Sequence, residues 1–297
     1  MRIVNLIENT EGQPGCRCEH GLSFYIETER HKVLMDTGAS DGFLANADLL
    51  GIDLGGVDAV ILSHGHYDHG GGIPAFAKKY PGTRIYMQQS AGGSFYHLKP
   101  EGEKYIGLEP CILGLPQCVL LQGDHRIDRE LFLFSGIEGH RMWPEGNRAL
   151  KRKAGAEYIQ DDFCHEQCLV VNEGDFHVLL SGCAHNGVLN ILDRYREIFG
   201  DWPDVLVSGF HMKKDRYEEA DLEHIRETGR LLKETGILCF TGHCTGQRAF
   251  DVMKDIMGDQ LRAIHSGEVV LDTGKALPDT GELPQDMREE KDADSSM

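Results

Sequence analysis

Ser63 to Gly72 reads Ser-His-Gly-His-Tyr-Asp-His-Gly-Gly-Gly, so three histidines and an aspartate fall within six residues. They follow the apolar run Val57-Asp58-Ala59-Val60-Ile61-Leu62, which puts them where a strand ends in a turn. Neutral imidazole and carboxylate are the ligand set that zinc, manganese and iron accept. His64 and His66, two apart, can point to one side of an extended segment, whereas the adjacent Asp68 and His69 must diverge. That split suits two neighbouring metal positions rather than one. The glycines that follow let the chain turn closely beneath such a site and enter a helix near Ile73 and Pro74.

The decapeptide resembles the H-x-H-x-D-H signature of the metallo-β-lactamase superfamily, with every position filled. The resemblance implies that His64 and His66 bind a first metal and Asp68 and His69 a second. Ahead of the motif, Asp36-Thr37-Gly38 closes a strand. By residue type this is a simple turn; the resemblance makes Asp36 a carboxylate that supports the metal-ligand loop from behind.

The elements that must position these groups follow in order. Residues 3–7 read as an edge strand, and residues 22–26 and 32–35 as two more strands around the polar turn 27–30. Asn9 and His20 sit near the ends of the first strands, where capping a turn and facing the site are both open, and the sequence favours the turn. A helix from Pro74 to Tyr80 stops at Pro81-Gly82, and residues 84–87 form a short strand. Residues 88–160 show little sustained period, with Lys99, Lys104, Tyr105, Arg141, Trp143 and the Lys151-Arg152-Lys153 cluster scattered among glycines. An irregular lid on the substrate side is the expectation. The basic triplet reads as a solvated face, with a phosphate contact as the other option.

Order returns with a hairpin, residues 168–171 and 176–180 around Asn172-Glu173-Gly174-Asp175. Three further strand ends then carry histidine: Ser181-Gly182-Cys183-Ala184-His185, Ser208-Gly209-Phe210-His211 and Gly242-His243-Cys244. Helices follow or separate them at 188–199, 218–234 and 247–257, and residues 268–271 make a last strand. With His64, four apolar strands stop at a histidine turn, and in α/β folds such strand ends converge on one cleft.

The Ser-Gly-Cys-Ala-His stretch departs from the superfamily's Ser/Thr-Gly-Asp, whose Asp bridges two metals. Together with Glu19-His20-Gly21-Leu22-Ser23, Gly209-Phe210-His211 and Thr241-Gly242-His243-Cys244-Thr245-Gly246, it resembles the subgroup that includes the archaeal dihydropterin-linked synthase, over roughly residues 3–272. Enzymes of that kind join a ribofuranosyl-aminobenzene phosphate to a dihydropterin pyrophosphate and release pyrophosphate. The resemblance implies that His185 joins His64 and His66, and that His243 joins Asp68 and His69. His165 is a rival to His185. Cys183 is either a metal ligand or a small core residue beside the site, the second being favoured. His211, without a metal slot in this assignment, is expected to donate a hydrogen bond or a proton to substrate. Asp68 is placed in the catalytic set as well as among the ligands.

Composition bounds the rest. A 297-residue chain that is 40% hydrophobic and 26% charged can bury a large core. Its net charge of -18 argues against nucleic acid and membrane as partners and leaves room for a small anionic substrate held by metals and a few lysines. Nine cysteines at irregular positions fit reduced thiols better than a disulfide framework, and Cys16/Cys18 and Cys164/Cys168 are weak metal signals. No run of 18 apolar residues exists and the amino terminus lacks a signal pattern, so the cytoplasm is expected. Residues 279–297, with seven acidic and two basic side chains, read as a disordered tail.

The expectation is therefore one metallo-β-lactamase-like domain over residues 1–278, an α/β four-layer αββα sandwich carrying the lid. It would hold two divalent metals, zinc ahead of manganese or iron, and act on a phosphorylated or pyrophosphorylated metabolite. Hydrolysis by metal-bound hydroxide leads, pyrophosphate-releasing transfer is the alternative, and a diiron redox or metal-sensing role ranks last. The sequence leaves the oligomeric state undetermined.

Overall fold

The computed structural model describes residues 1–275, and its strands sort their side chains between two faces with the period of two that extended backbone imposes. Strands β1 (Arg2–Ile7), β2 (Ser23–Glu27) and β3 (Lys32–Met35) pair antiparallel, and β4 (Ala59–Ile61) and β5 (Arg84–Gln88) continue in parallel. Helices α1 (Gly42–Leu49), α2 (Tyr67–Gly70) and α3 (Ile73–Lys79) fall between them. The chain then makes β6 (Phe95–Lys99), β7 (Gly102–Tyr105), β8 (Cys118–Leu121), β9 (His125–Arg126), β10 (Leu131–Phe134), β11 (Leu150–Ala154) and β12 (Glu157–Gln160). The last part runs β13 (Cys168–Glu173), β14 (Phe176–Leu180), α4 (Val188–Phe199), β15 (Val205–Val207), α5 (Glu219–Glu234), β16 (Leu238–Thr241), α6 (Gln247–Met257), β17 (Leu261–Ala263) and β18 (Val269–Asp272).

Two seven-stranded mixed sheets result, ordered β18-β1-β2-β3-β4-β5-β8 and β17-β16-β15-β14-β13-β10-β9. Alternation along single strands makes the layers. Val33 and Met35 of β3, Val178 and Leu180 of β14 and Val205 and Val207 of β15 meet in one core between the sheets. Leu34 turns outward to Phe43 of α1 and Phe76 of α3. Leu179 and Leu206 turn outward to Ile191 of α4, Ile225 of α5 and Met253 of α6. This is the expected αββα sandwich, with helices on both outer faces.

Two expectations change. β1 is not an edge strand, because β18 pairs with its free side. The segment 88–160 is not an irregular lid throughout: β8 closes the first sheet and β9 and β10 close the second. Only β12-β11-β6-β7 stand apart, as a four-stranded antiparallel sheet. These strands escaped detection because they are short and, as in the wholly exposed β7, lack a buried face to set an apolar alternation. β17, three residues long, was missed for the same reason of length. The acidic stretch 279–297 lies outside the described residues. Among those described, no helix is long and apolar enough to cross a membrane.

Candidate metal centre

Strands β4, β14, β15 and β16 end side by side at one edge of the sandwich, and each end delivers its histidine to the same place. Close approach of the two sheets there depends on Gly182, since a Cβ at that position would lie 2.3 Å from Ser63 Oγ. Asp36, Ala184, His211 and His243 all have positive φ, between 49° and 60°. Four non-glycine residues in the left-handed region, all at strand ends around one site, mark backbone held in an uncommon state by its surroundings.

The imidazoles fall into two groups. His64, His66 and His185 are buried, with ring centroids 4.6, 4.8 and 4.9 Å apart pairwise, and the Nε2 atom of each lacks any hydrogen-bond partner among the described residues. In the second group, Asp68 Oδ2 lies 3.4 Å from His243 Nε2, 3.9 Å from His69 Nε2 and 3.3 Å from His20 Nε2. Three buried, unpartnered ring nitrogens in one triangle would be costly in a metal-free interior. Donor type fits a divalent cation, and in the second group the distances of 3.4 and 3.9 Å from Asp68 Oδ2 to His243 and His69 Nε2 are close to the separation of about 3.5 Å between ligand atoms around one tetrahedral zinc.

A shell of polar groups fixes the ring orientations. Asp36 accepts the Ser63 N–H at Oδ1, and its Oδ2 accepts both Ser63 Oγ–H at 2.7 Å and His69 Nδ1–H at 2.6 Å. Ser63 Oγ, having given its proton to Asp36, accepts from His64 Nδ1 at 2.9 Å. One carboxylate thus orients a histidine of each group, the supporting role expected for Asp36. Asn9 Oδ1 accepts from His243 Nδ1 at 2.9 Å, and the His20 ring stacks on His243 at 5.0 Å. Asn9 and His20 therefore face the site, contrary to the turn reading that sequence favoured.

Asn147, which sequence reasoning missed, does for His185 what Asn9 does for His243. Buried Glu166, also missed, accepts the His185 and Asn186 backbone N–H groups. Neither residue carries a spacing signal; each is found only by asking what holds the ring. The rival His165 is satisfied without metal. Its Nδ1 accepts the Gly65 N–H at 3.0 Å, leaving Nε2–H to donate to Asp161 at 3.2 Å.

Electrostatics agree with ligation by the first group. Burial, then neighbouring imidazoles, holds His64 and His185 well below the ordinary histidine value, and burial with His165 nearby brings His66 down to about 3. These rings stay neutral and keep their lone pairs at neutral pH. His69 is opposed by burial yet raised to about 9 by Asp36 and Asp68. The Asp68 carboxyl, against its burial, is held below the usual range by His69, His243 and His20.

Cys183, for which a small core residue beside the site was the favoured reading, is buried, with its Sγ 3.2 Å from His69 Nε2 and within 4.8 Å of the ligand atoms of both His64/His185 and His69/His243. Cys16, Cys18, Cys164 and Cys168 join no ligand group among the described residues.

The centre opens into a cavity of about 550 Å3. His66, Asp68, Cys183, His185 and His211 are on its wall, with His97 and Lys99 of β6, Lys104 of β7 and the loop residues Lys213 and Lys214. His211 packs against His185 at 4.3 Å between ring centroids, and its Nδ1 is buried without a partner among the described residues. The four-stranded sheet is seated over the centre by Phe95, Ile106, Leu150 and Phe163, the last stacked on His185 at 4.6 Å. The triplet Lys151-Arg152-Lys153 stays outside the cavity, Lys151 bonding Gln160 and Arg152 pairing with Asp162.

Comparison with known proteins agrees with this geometry. Residues 16–219 match the family model of the metallo-beta-lactamase superfamily. The chain is 26% identical over 270 residues to 7,8-dihydropterin-6-methyl-4-(beta-D-ribofuranosyl)-aminobenzene-5'-phosphate synthase of Methanocaldococcus jannaschii, covering 85% of this chain and 90% of the synthase. A crystal structure described as a metal-dependent hydrolase of the beta-lactamase superfamily superposes with a TM-score of 0.77 at 31% identity, covering 92% of this chain and 99% of that one. The metallo-beta-lactamase fold protein YhfI from Bacillus subtilis shares the fold at a TM-score of 0.52 and 16% identity, over 90% and 98% of the two chains. A family match over more than half of the chain, on a sandwich whose motif histidines gather at one edge, has one reading: the chain is a metal-dependent enzyme and belongs to the metallo-beta-lactamase superfamily.

Proposed function

We propose that the chain holds two divalent metals, zinc first among the candidates, and acts on a small phosphorylated or pyrophosphorylated metabolite, chiefly as a hydrolase. His64, His66 and His185 would hold one ion, and Asp68, His69 and His243 the other. The observation that carries the reading is the pairing, in one cavity, of unpartnered ligand nitrogens with four lysines in a chain of net charge -18. A local cationic wall in an acidic protein selects a small anion over a polyanion or an acidic membrane. Bound in this site, two divalent ions supply charge stabilisation to a phosphoryl group in its transition state.

The chain's own residues do the rest. Lys99 and Lys213, which make no ion pair among the described residues, bind the substrate's outer oxygens. Lys104, hydrogen-bonded to the Tyr67 hydroxyl, and Lys214, paired with Asp221, are held in place to add charge. Asp68 accepts a hydrogen bond from the attacking water and so orients it. His211 donates a proton to the leaving oxygen, from a ring held against His185. Nine unpaired cysteines suit a reducing cytoplasm.

Similarity along 90% of the archaeal synthase favours a second reading, transfer of a pterin-like group to an arylamine with loss of pyrophosphate. One experiment separates the two. Metal per chain is measured by elemental analysis, and phosphate and pyrophosphate release are followed for a panel of phosphoesters and a dihydropterin pyrophosphate, with and without an arylamine acceptor. Two metals with acceptor-independent phosphate release support hydrolysis. Pyrophosphate release that requires the acceptor supports transfer, and a chain that takes up no metal refutes both.

A further inference from the structure

The buried cysteines divide by company. Cys168 and Cys239 belong to the apolar cluster under the helices of the second sheet. Cys183, only 3% exposed, belongs to none of the apolar clusters, and its Sγ lies among the rings of His64, His69, His185, His211 and His243 and the Cys244 thiol. With His64 and His185 it forms one set of ligand atoms within 4.8 Å of one another, and with His69 and His243 a second. It is the one residue shared by those two sets. Asp68, the other candidate for a shared ligand, lies near His20, His69 and His243 but joins no set with His64 or His185. A single atom within reach of both groups is what a bridge between two metals requires, and the strand end that carries it is pinned by the Gly182 contact with Ser63.

We infer that the Cys183 sulfur is a ligand common to both metal positions, standing where the wider superfamily pattern has an aspartate. The inference rests on the two-metal reading above. Ligation replaces the S–H bond by sulfur–metal bonds and releases the proton to solvent, so the chain loses one proton in all through this atom, whether it holds one ion or two. A soft thiolate at the shared position makes the centre favour zinc, cobalt or iron over magnesium and manganese.

The test is cobalt substitution of the full chain, read by absorption and by cobalt count. The wild-type protein with two cobalt ions should show a sulfur-to-cobalt charge-transfer band in the near ultraviolet. Cys183→Asp should keep two ions and lack the band, and Cys183→Ser should bind its second ion about tenfold or more weakly. Cys244→Ser, which alters the other thiol on the cavity wall, should keep the band. A two-cobalt protein without the band, or a band that survives Cys183→Asp or disappears with Cys244→Ser, overturns the assignment and leaves the two-metal reading standing. A chain that binds no cobalt overturns both.

Discussion

Asn147 grips His185 at two points: its Oδ1 accepts the ring Nδ1–H at 2.9 Å, and its Nδ2–H donates to the His185 carbonyl at 2.7 Å. Both groups are buried, so the ring has one orientation and one tautomer, with Nε2 turned toward His64 and His66. Orienting groups of this kind govern metal affinity almost as strongly as the ligands. Asn147→Ala should therefore weaken the first metal by about 10- to 100-fold in a chelator competition. Unchanged affinity would show that His185 is held by other contacts.

The proposed assignment of two ligand groups predicts a stoichiometry. His185→Ala or His243→Ala should each reduce bound metal toward one equivalent, measured by elemental analysis. His165→Gln should retain both, because both nitrogens of His165 are already used within the protein. The cost there is structural, about 1–3 kcal/mol for the buried partners left unpaired, visible as a lower unfolding temperature. Loss of a metal from the His165 variant would return it to the ligand set.

Stability of the metal-free chain should pass through a maximum with pH. His64, His66 and His185 have folded-state values below the unfolded value of about 6.5, so as pH falls under that point the unfolded chain takes up protons that the folded one refuses. Stability then drops with acid. His69, raised to about 9, has the opposite sign: its contribution is complete below about 6.5 and is lost as pH climbs through about 9. Calorimetry of chelator-treated protein between pH 5 and 10 should find the highest unfolding temperature near neutrality. A monotonic rise with pH would contradict the assignment for His69.

Substrate binding and proton donation should separate kinetically. Lys213→Ala removes charge from the cavity wall and should raise KM about tenfold with kcat nearly preserved, as expected for one charge-assisted hydrogen bond. His211→Gln should lower kcat instead. The reverse pattern would exchange the two roles.

Much of this centre was legible because strand ends punctuate the sequence. His64, His185, His211 and His243 each follow an apolar run, and the structure brings all four together. The hairpin and the helices on the second sheet were equally plain, their apolar residues recurring with the periods of strand and helix. What escaped was whatever depends on pairing across the chain. Asn9 looked like a turn residue until His243 arrived opposite it, and Asn147 sits in a stretch with no period at all. Cys183 looked apolar by type, and only its neighbours make it otherwise. The sheet β12-β11-β6-β7 hid for a related reason, since exposed strands carry no buried stripe to read.

The ligand turns are far apart in the chain, and this sets a timetable for biosynthesis. A ribosome releases His64, His66, Asp68 and His69 well before Cys183, His185 and His243. The nascent chain thus presents a half-built chelate, open to whatever cation is abundant. The centre closes only when the turn after β16 docks against Asn9, with Glu8 taking the His243 N–H. On the two-metal proposal, the finished fold rather than the motif that first meets an ion is what selects the metal.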